Sequence, residues 1–176
     1  MGTGSRRLLL VGDGFQKALD RYFWDDGSRH LLLVGKGSRK MLDQIYSTVC
    51  GFTTSCWINY YAPPGEIERD ITQRVTGIDH IDLKQEPTYE MVREAIRDSE
   101  SRVHAFIPEI DQMLSREPKE DSEEVLPVEV LTRLSQEPGF HIIGSCRSQD
   151  SDSYTSTIEN TGFPVNRGLF DVIEGV

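Results

Sequence analysis

Leu31-Leu32-Leu33-Val34 is a run of four branched apolar residues that ends at Gly35. A run this short, with no polar residue in it, is typical of a strand that is buried on both faces of a parallel sheet. A second run of the same kind, Leu8-Leu9-Leu10-Val11, comes before Gly12. We interpret the two runs as two core strands of one sheet and not as a duplicated unit.

Further apolar runs alternate with segments of helical spacing along the chain. Strands are predicted at 56–61, 75–83, 103–107, 140–144 and 169–173, and helices at 15–23, 41–49, 87–96 and 127–134. The acidic stretch at 115–126 is predicted to be a solvated loop. Strands that alternate with helices predict an α/β fold with a mostly parallel sheet, covered by helices on both faces.

Length and charge limit the class of protein. The chain has 176 residues, which suggests a single module, assigned to 6–176, with residues 1–5 set aside as a cloning remnant. Its net charge of -10 argues against a nucleic-acid-binding surface, because phosphate contacts need clustered Lys and Arg. The three cysteines have no CxxC spacing, which favours buried thiols in a reducing compartment over disulfides or a zinc site.

The turn after the run at 31–34 resembles a damaged phosphate-binding loop. Such loops follow the pattern GxxxxGK[ST], in which the Lys reaches the terminal phosphates and the Ser or Thr hydroxyl holds Mg²⁺. Lys40 occupies the lysine position, but Arg39 replaces the preceding glycine and Met41 replaces the hydroxyl residue, and the loop is one residue short. The candidate nucleotide-binding residues are Gly35, Gly37, Ser38 and Lys40. The alternative is an ordinary strand–helix turn with two surface lysines.

The end of the strand at 103–107 is the second candidate position. A working P-loop ATPase presents a carboxylate there to hold the magnesium shell and orient water. Here Pro108 takes the first acidic position and Glu109 the second, so Glu109 is the candidate catalytic residue. Alternatively, Glu109 is a favourable acidic residue in the first turn of a helix.

A third position follows the strand at 140–144. Arg147 and Gln149 lie there and could contact a γ-phosphate or a neighbouring subunit, although a plain solvated loop is equally consistent. No metal site is predicted. The chain has four histidines, His30, His80, His104 and His141, and they lack metal-ligand spacing. Two of them lie inside predicted strands and fit satisfied core histidines.

The order of these segments resembles the FtsK/SpoIIIE type of motor domain. The resemblance depends on the lysine-ended turn, the Pro-Pro-Gly at 63–65, the Pro-Glu-Ile-Asp at 108–111 and above all the segment 138–149, Pro-Gly-Phe-His-Ile-Ile-Gly-Ser-Cys-Arg-Ser-Gln. Within that family the chain looks most like the degenerate ATPase modules of the EssC/EccC coupling protein of type VII secretion. The resemblance implies a three-layer RecA/FtsK-like P-loop NTPase fold with a mostly parallel central sheet.

The resemblance also implies a function. It points to a pseudo-ATPase that binds no cofactor or only weakly bound ATP, in the cytoplasmic part of a membrane-anchored protein. The implied partners are neighbouring ATPase modules of the same chain and secreted substrates or their C-terminal signals, with a homo-oligomer in the full-length protein and no nucleic acid.

Two alternatives remain open at this point. The first is a nucleotide-binding ATPase with a non-standard phosphate loop that uses Lys40 and Glu109. The second is a flavodoxin-type or receiver-type domain, for which Asp13, Asp25 and Asp26 are present but a strand-end Asp after 31–34 is not.

Overall fold

The computed structural model describes residues 7–9, 19–20, 22–23, 30–51, 53–61, 65–77, 89–114, 127–147 and 170–174. Within these ranges the strands are β1 (Arg7–Leu9), β2 (His30–Val34), β3 (Thr54–Trp57), β4 (Val103–Ile107), β5 (Phe140–Cys146) and β6 (Phe170–Glu174). The helices are α1 (Ser38–Val49), α2 (Glu66–Thr76), α3 (Tyr89–Asp98), α4 (Ile110–Leu114) and α5 (Pro127–Leu134).

The strands form one six-stranded sheet in the order β1-β6-β2-β5-β4-β3, and all five pairings are parallel. Since β5 lies between β2 and β4, the turn after β2 and the end of β4 are each one strand away from the end of β5. The carboxyl ends of parallel strands share one edge of the sheet, where ligands bind in open α/β folds.

Each face of the sheet has its own apolar core. On one face α1 packs through Leu42, Ile45 and Val49, whose spacing gives one helical stripe. On the other face α2, α3 and α5 contribute one cluster together with the opposite side chains of the strands. Successive side chains of β2 point to opposite faces of the sheet, and every residue from 31 to 34 is buried. Burial on both faces explains why the strand is uniformly apolar. The chain is therefore a three-layer α/β structure.

The predicted helices at 41–49 and 127–134 and the strands at 31–34 and 103–107 are confirmed. Of the helix predicted at 87–96, residues 89–96 lie in α3, and of the strand predicted at 169–173, residues 170–173 lie in β6. Residues 87, 88 and 169 lie outside the described residues. Residues 19, 20, 22 and 23 of the helix predicted at 15–23 are helical, and its remainder lies outside the described residues, as does the acidic stretch 115–126.

The strand predicted at 75–83 is wrong where it can be compared. Val75 and Thr76 are the last residues of α2, and Gly77 caps the helix in the left-handed conformation, with φ of 70°. Gly77 therefore ends a helix and does not interrupt a strand, because glycine adopts positive φ without a steric penalty. Residues 78–83 lie outside the described part of the chain.

Two strands have different lengths from those predicted. β3 covers 54–57 instead of 56–61, and β5 continues through Ser145 and Cys146, which the sequence placed in a polar loop. Both of these β5 residues are buried.

No helix within the described ranges is both long enough and apolar enough to cross a membrane.

Candidate functional site

The turn that joins β2 to α1 contains only Gly35, Lys36 and Gly37. Gly35 has φ of 143°, a conformation that side chains rarely adopt. The N–H of Ser38 donates to the carbonyl of Gly35 at 3.2 Å, so the turn closes on itself. A phosphate-binding loop instead directs several successive backbone N–H groups toward the ligand.

The carbonyl oxygen of Cys146 holds this turn against the end of β5. It accepts the N–H of Gly35 at 2.9 Å and the hydroxyl of Ser38 at 3.1 Å. Ser38 is buried, with 1% of its surface exposed. Two groups that could contact a phosphate or its metal are therefore already paired within the protein.

The charged residues of the turn and of the first turn of α1 point outward. Lys36 and Lys40 are exposed. Arg39 forms an ion pair with Asp43 at 3.4 Å and lies over the ring of Trp57, 5.2 Å from its centroid. Arg39 is thereby directed along α1 toward β3.

Met41, at the position of the magnesium-binding hydroxyl, is partly buried against the apolar core of the α1 face. A thioether is a soft and weak ligand, whereas Mg²⁺ needs hard oxygen ligands. Met41 therefore offers no hard oxygen ligand at this position.

The end of β4 has an unusual backbone. Glu109 follows the buried Pro108 and has φ of 51°, in the left-handed region. Its N–H donates to the hydroxyl of Ser145 at 2.8 Å, and its carbonyl accepts the hydroxyl of Tyr60 at 3.3 Å. A non-glycine residue in this conformation costs about 1–2 kcal/mol, which these two hydrogen bonds offset. The helix expected at Glu109 begins one residue later, at Ile110.

Asp111 and Tyr60 belong to the same corner, and sequence reasoning gave neither of them a role. The Oδ1 atom of Asp111 is buried and has no hydrogen-bond partner among the described residues. Burial raises the pKa of Tyr60 above its ordinary value, and the negative charges of Glu109 and Asp111 add to the effect. The signal that could have found this corner is the acidic spacing Glu-Ile-Asp directly after a buried strand.

Arg147 is the first residue after β5 and is exposed, and Gln149 lies outside the described residues. The structure therefore brings two of the three predicted positions together through β5. The turn after β2 bonds to Cys146, and Glu109 bonds to the adjacent Ser145. The exposed side chains of Lys40 and Arg147 have no contact with Glu109 among the described interactions.

The opposite, amino edge of the sheet contains three buried histidines, which we call the histidine cluster: His30, His104 and His141. The ring of His141 lies next to the other two, with its centroid 6.2 Å from that of His30 and 5.9 Å from that of His104. Within the described ranges no group of three His, Cys, Asp or Glu residues is placed to hold a metal ion. All three side chains are buried, so the cluster is part of the core.

The tautomer of His30 follows from its partners. Its Nδ1 accepts the N–H of Ile142 at 2.9 Å, so Nε2 carries the proton and donates to the carbonyl of Ser135 at 3.2 Å. Protonation of Nδ1 would break the first of these bonds. Burial lowers the pKa of His30 to about 4, and the nearby His141 contributes to the same shift.

The other two histidines are also held neutral. Burial lowers the pKa of His104 to about 3 and that of His141 to about 4, and the positive charge of Arg102 adds to both shifts. Nδ1 of His104 lies 3.2 Å from the hydroxyl of Tyr22, which is also buried. The expectation of satisfied core histidines is thus consistent with the structure for both strand positions, and His80 lies outside the described residues.

Similar folds occur in solved structures of Drosophila ORC. The chain aligns over 93% of its length with a chain of ORC bound to AT-rich DNA and Cdc6, at a TM-score of 0.57 and 14% identity. With a chain of ORC bound to GC-rich DNA and Cdc6, it aligns over 92% of its length at a TM-score of 0.57 and 15% identity. With a chain of ORC bound to DNA, it aligns over 91% of its length at a TM-score of 0.58 and 15% identity. This chain covers 55% and 53% of the first two of those chains, about half of their length, and 86% of the third.

At this identity the likeness concerns the fold, which is that of a P-loop NTPase. The chain therefore has an α/β, three-layer P-loop NTPase fold with a parallel central sheet. No protein-family model matches the sequence, and no curated protein matches it.

Proposed function

We propose that this chain is a P-loop-type module that does not hydrolyse nucleotide and acts through protein–protein contacts. The observation that carries the proposal is the closed turn after β2. Its first N–H and the hydroxyl of Ser38 both donate to the carbonyl of Cys146. A nucleotide phosphate would have to displace these internal hydrogen bonds, and each displacement leaves a buried polar group that must find a new partner.

The chemistry of hydrolysis supports the same proposal. Phosphoryl transfer in this fold depends on a metal ion held by a hydroxyl and a carboxylate, with a further group that orients water. Met41 and Pro108 occupy the hydroxyl and carboxylate positions. Of the groups that hydrolysis needs, Glu109 is the one that remains, and its backbone is fixed by hydrogen bonds to Ser145 and Tyr60.

The setting that we propose is a type VII secretion coupling protein of the EssC/EccC kind, on the strength of the segment 138–149. In that setting the module lies in the cytoplasmic part of a membrane-anchored protein, where it contacts neighbouring ATPase modules or the C-terminal signals of secreted substrates. The ORC structures with a similar fold are bound to DNA, but the net charge of -10 on this chain favours a protein partner.

A second candidate is a nucleotide-binding ATPase with a non-standard loop. One observation favours it: the strained backbone of Glu109 at the carboxyl end of β4, since such strain concentrates at functional sites. In this candidate Lys40 contacts the phosphates and Glu109 polarises the attacking water.

Thermal unfolding with ATP separates the two candidates. A ligand at a hundredfold excess over its Kd stabilises the folded state by about 2.7 kcal/mol, which corresponds to several degrees in Tm for a chain of this size. We expect no shift with millimolar ATP, with or without Mg²⁺, and the same curves for Lys40→Ala. A rise in Tm that Lys40→Ala abolishes would show that nucleotide binds through Lys40 and would favour the second candidate instead.

The protein-contact role needs its own measurement. A fluorescent peptide with the C-terminal sequence of a secreted substrate is titrated against the parent multi-module protein, and the ATPase rate of the neighbouring modules is followed. We expect either peptide binding or a change in that rate that disappears when this module is deleted. If the peptide does not bind and the ATPase rate does not change, the proposed role is wrong.

A further inference from the structure

Within the part of the chain that the structure describes, β3 is the last strand of the sheet, and one of its two edges faces away from β4. The N–H of Ile58 donates to the carbonyl of Phe106 in β4 at 2.9 Å. Because backbone groups alternate in direction along a strand, the N–H and C=O groups of Ser55 and Trp57 point to the outer edge. Among the described residues, no strand pairs with that edge.

A cavity of about 370 Å³ lies at this edge, lined by Cys56, Trp57, Asp70, Gln73 and Arg74. Cys56 belongs to the core cluster on the α2 face, whereas Trp57 packs against the cluster on the α1 face. The cavity therefore lies between β3 and α2, beside the outer edge of the strand.

The sequence of β3 lacks the usual protection of an edge strand. Exposed edges in natural proteins carry Lys, Pro, a bulge or an inward-pointing charge, because unpaired backbone groups are a template for another strand. β3 reads Thr-Ser-Cys-Trp, with no charge and no proline. An edge of this composition is expected to be covered in the working protein.

The charges beside the cavity are self-complementary. Asp70 and Arg74 lie one helical turn apart on the same face of α2, with Gln73 beside them. A two-fold axis at the edge would reverse the order of these charges in the second copy, so that each Asp70 lies opposite the partner's Arg74. The lining of the cavity holds one acid and one base, so two copies can meet here despite a net charge of -10 each.

Burial raises the pKa of Asp70 above its ordinary value and the charge of Glu66 adds to the effect, whereas the charges of Arg69 and Arg74 oppose it. A carboxylate in this condition gains from an additional guanidinium nearby.

We propose that two copies of this chain associate through antiparallel pairing of their β3 edges, which makes one sheet continuous across the two-fold axis. The outward backbone groups of Ser55 and Trp57 supply the hydrogen bonds, and the Asp70 and Arg74 pairs fix the orientation. This association does not depend on whether the module binds nucleotide.

Sedimentation and light scattering on the whole chain test the association. Wild type is expected to be dimeric at about 100 µM, well above the micromolar Kd of a moderate interface. Asp70→Arg places two positive charges at each edge and Arg74→Asp two negative charges, so each variant alone is expected to be a monomer. An equimolar mixture of the two variants regains opposite charges at both contacts and is expected to form a heterodimer. Glu100→Arg makes the same charge change as Asp70→Arg at an exposed site near the amino edge, and is expected to stay dimeric.

Hydrogen exchange gives an independent readout if a variant folds poorly. In wild type the outward amide of Trp57 is expected to exchange slowly, and dilution into the monomer range should accelerate it at least tenfold. The amide of Ile58, which faces β4, is expected to stay slow throughout. The proposal is overturned if the wild-type chain is monomeric at about 100 µM or if both charge variants leave the dimer intact. It is also overturned if the mixture of folded variants stays monomeric, or if the Trp57 amide exchanges fast in wild type.

Discussion

A shift from pH 7 to pH 5 is expected to remove a large part of the stability of this chain through the histidine cluster. In the folded state the pKa values are about 4 for His30, about 3 for His104 and about 4 for His141. In the unfolded chain each histidine returns to about 6.5. The folded pKa is lowered, so between these values the unfolded state binds more protons, and stability falls as the pH falls.

The magnitude follows from the same values. At pH 5 each unfolded histidine is protonated with a gain of about 2 kcal/mol, since 5 lies 1.5 units below 6.5 and one unit is about 1.4 kcal/mol. The folded histidines gain almost nothing at that pH. Three histidines therefore account for about 5–6 kcal/mol between pH 7 and pH 5, against a total stability of about 5–15 kcal/mol for a typical domain. Asp70 opposes this trend, because its pKa is raised in the folded state.

The assay is urea unfolding at pH 7, 6 and 5, with the free energy of unfolding extrapolated to water. His104→Gln isolates one member of the cluster, because the amide can still bond to the hydroxyl of Tyr22 but does not titrate. Its loss of stability between pH 7 and 5 is expected to be smaller than that of wild type by about 2 kcal/mol, whatever its stability at pH 7.

Two results would contradict the expected role of the histidine cluster. One is a wild-type chain that loses less than about 1 kcal/mol between pH 7 and 5, where the linkage of three histidines requires several times more. The other is a loss of equal size in His104→Gln and in wild type, which would place the titrating groups elsewhere.

Three further predictions concern single positions. Ser145→Ala leaves the N–H of Glu109 unpaired beside a strained backbone and is expected to cost about 1–3 kcal/mol in urea unfolding. Gly144→Ala places a Cβ against the side chain of Ile110 and is expected to lower stability by about 1–3 kcal/mol through overpacking, measured as a fall in Tm. In a thiol titration of the native chain only Cys50, the exposed cysteine, is expected to react rapidly, and the two buried cysteines only after unfolding.

Much of the fold could be predicted from local sequence, because the apolar pattern of the core strands and helices indicates where they lie. β2 and β4 are buried on both faces, and α1 presents one apolar stripe, so their residue types leave little choice. α2 could not be found in this way. Only Ile67 and Ile71 among its apolar residues are fully buried, and the rest of its sequence is polar. Val75 favours a strand by residue type, but packing against α3 and β3 decides the outcome.

The candidate site was predictable only in its chemistry. Counting residues shows that the loop after β2 is short and that Met41 replaces a hydroxyl. The bonds that close the site join residues far apart in the chain, as with Ser38 and the carbonyl of Cys146, 108 positions away. Local sequence also placed Ser145 in a loop, because a polar side chain is buried only when it has a hydrogen-bond partner. That partner, the N–H of Glu109, is distant in the sequence and cannot be recognised from the residues around Ser145.

The side chain of His30 has a further consequence for the sheet. Paired residues of β2 and β5 begin at Leu31 and Ile143, and just before this point the N–H of Ile142 bonds to the imidazole of His30 instead of to a backbone carbonyl. A slip of β5 along β2 by one or two residues would carry that N–H away from the ring and leave it buried and unpaired. One imidazole therefore fixes the alignment of the two central strands, and with it the placement of the Cys146 carbonyl beside the turn after β2.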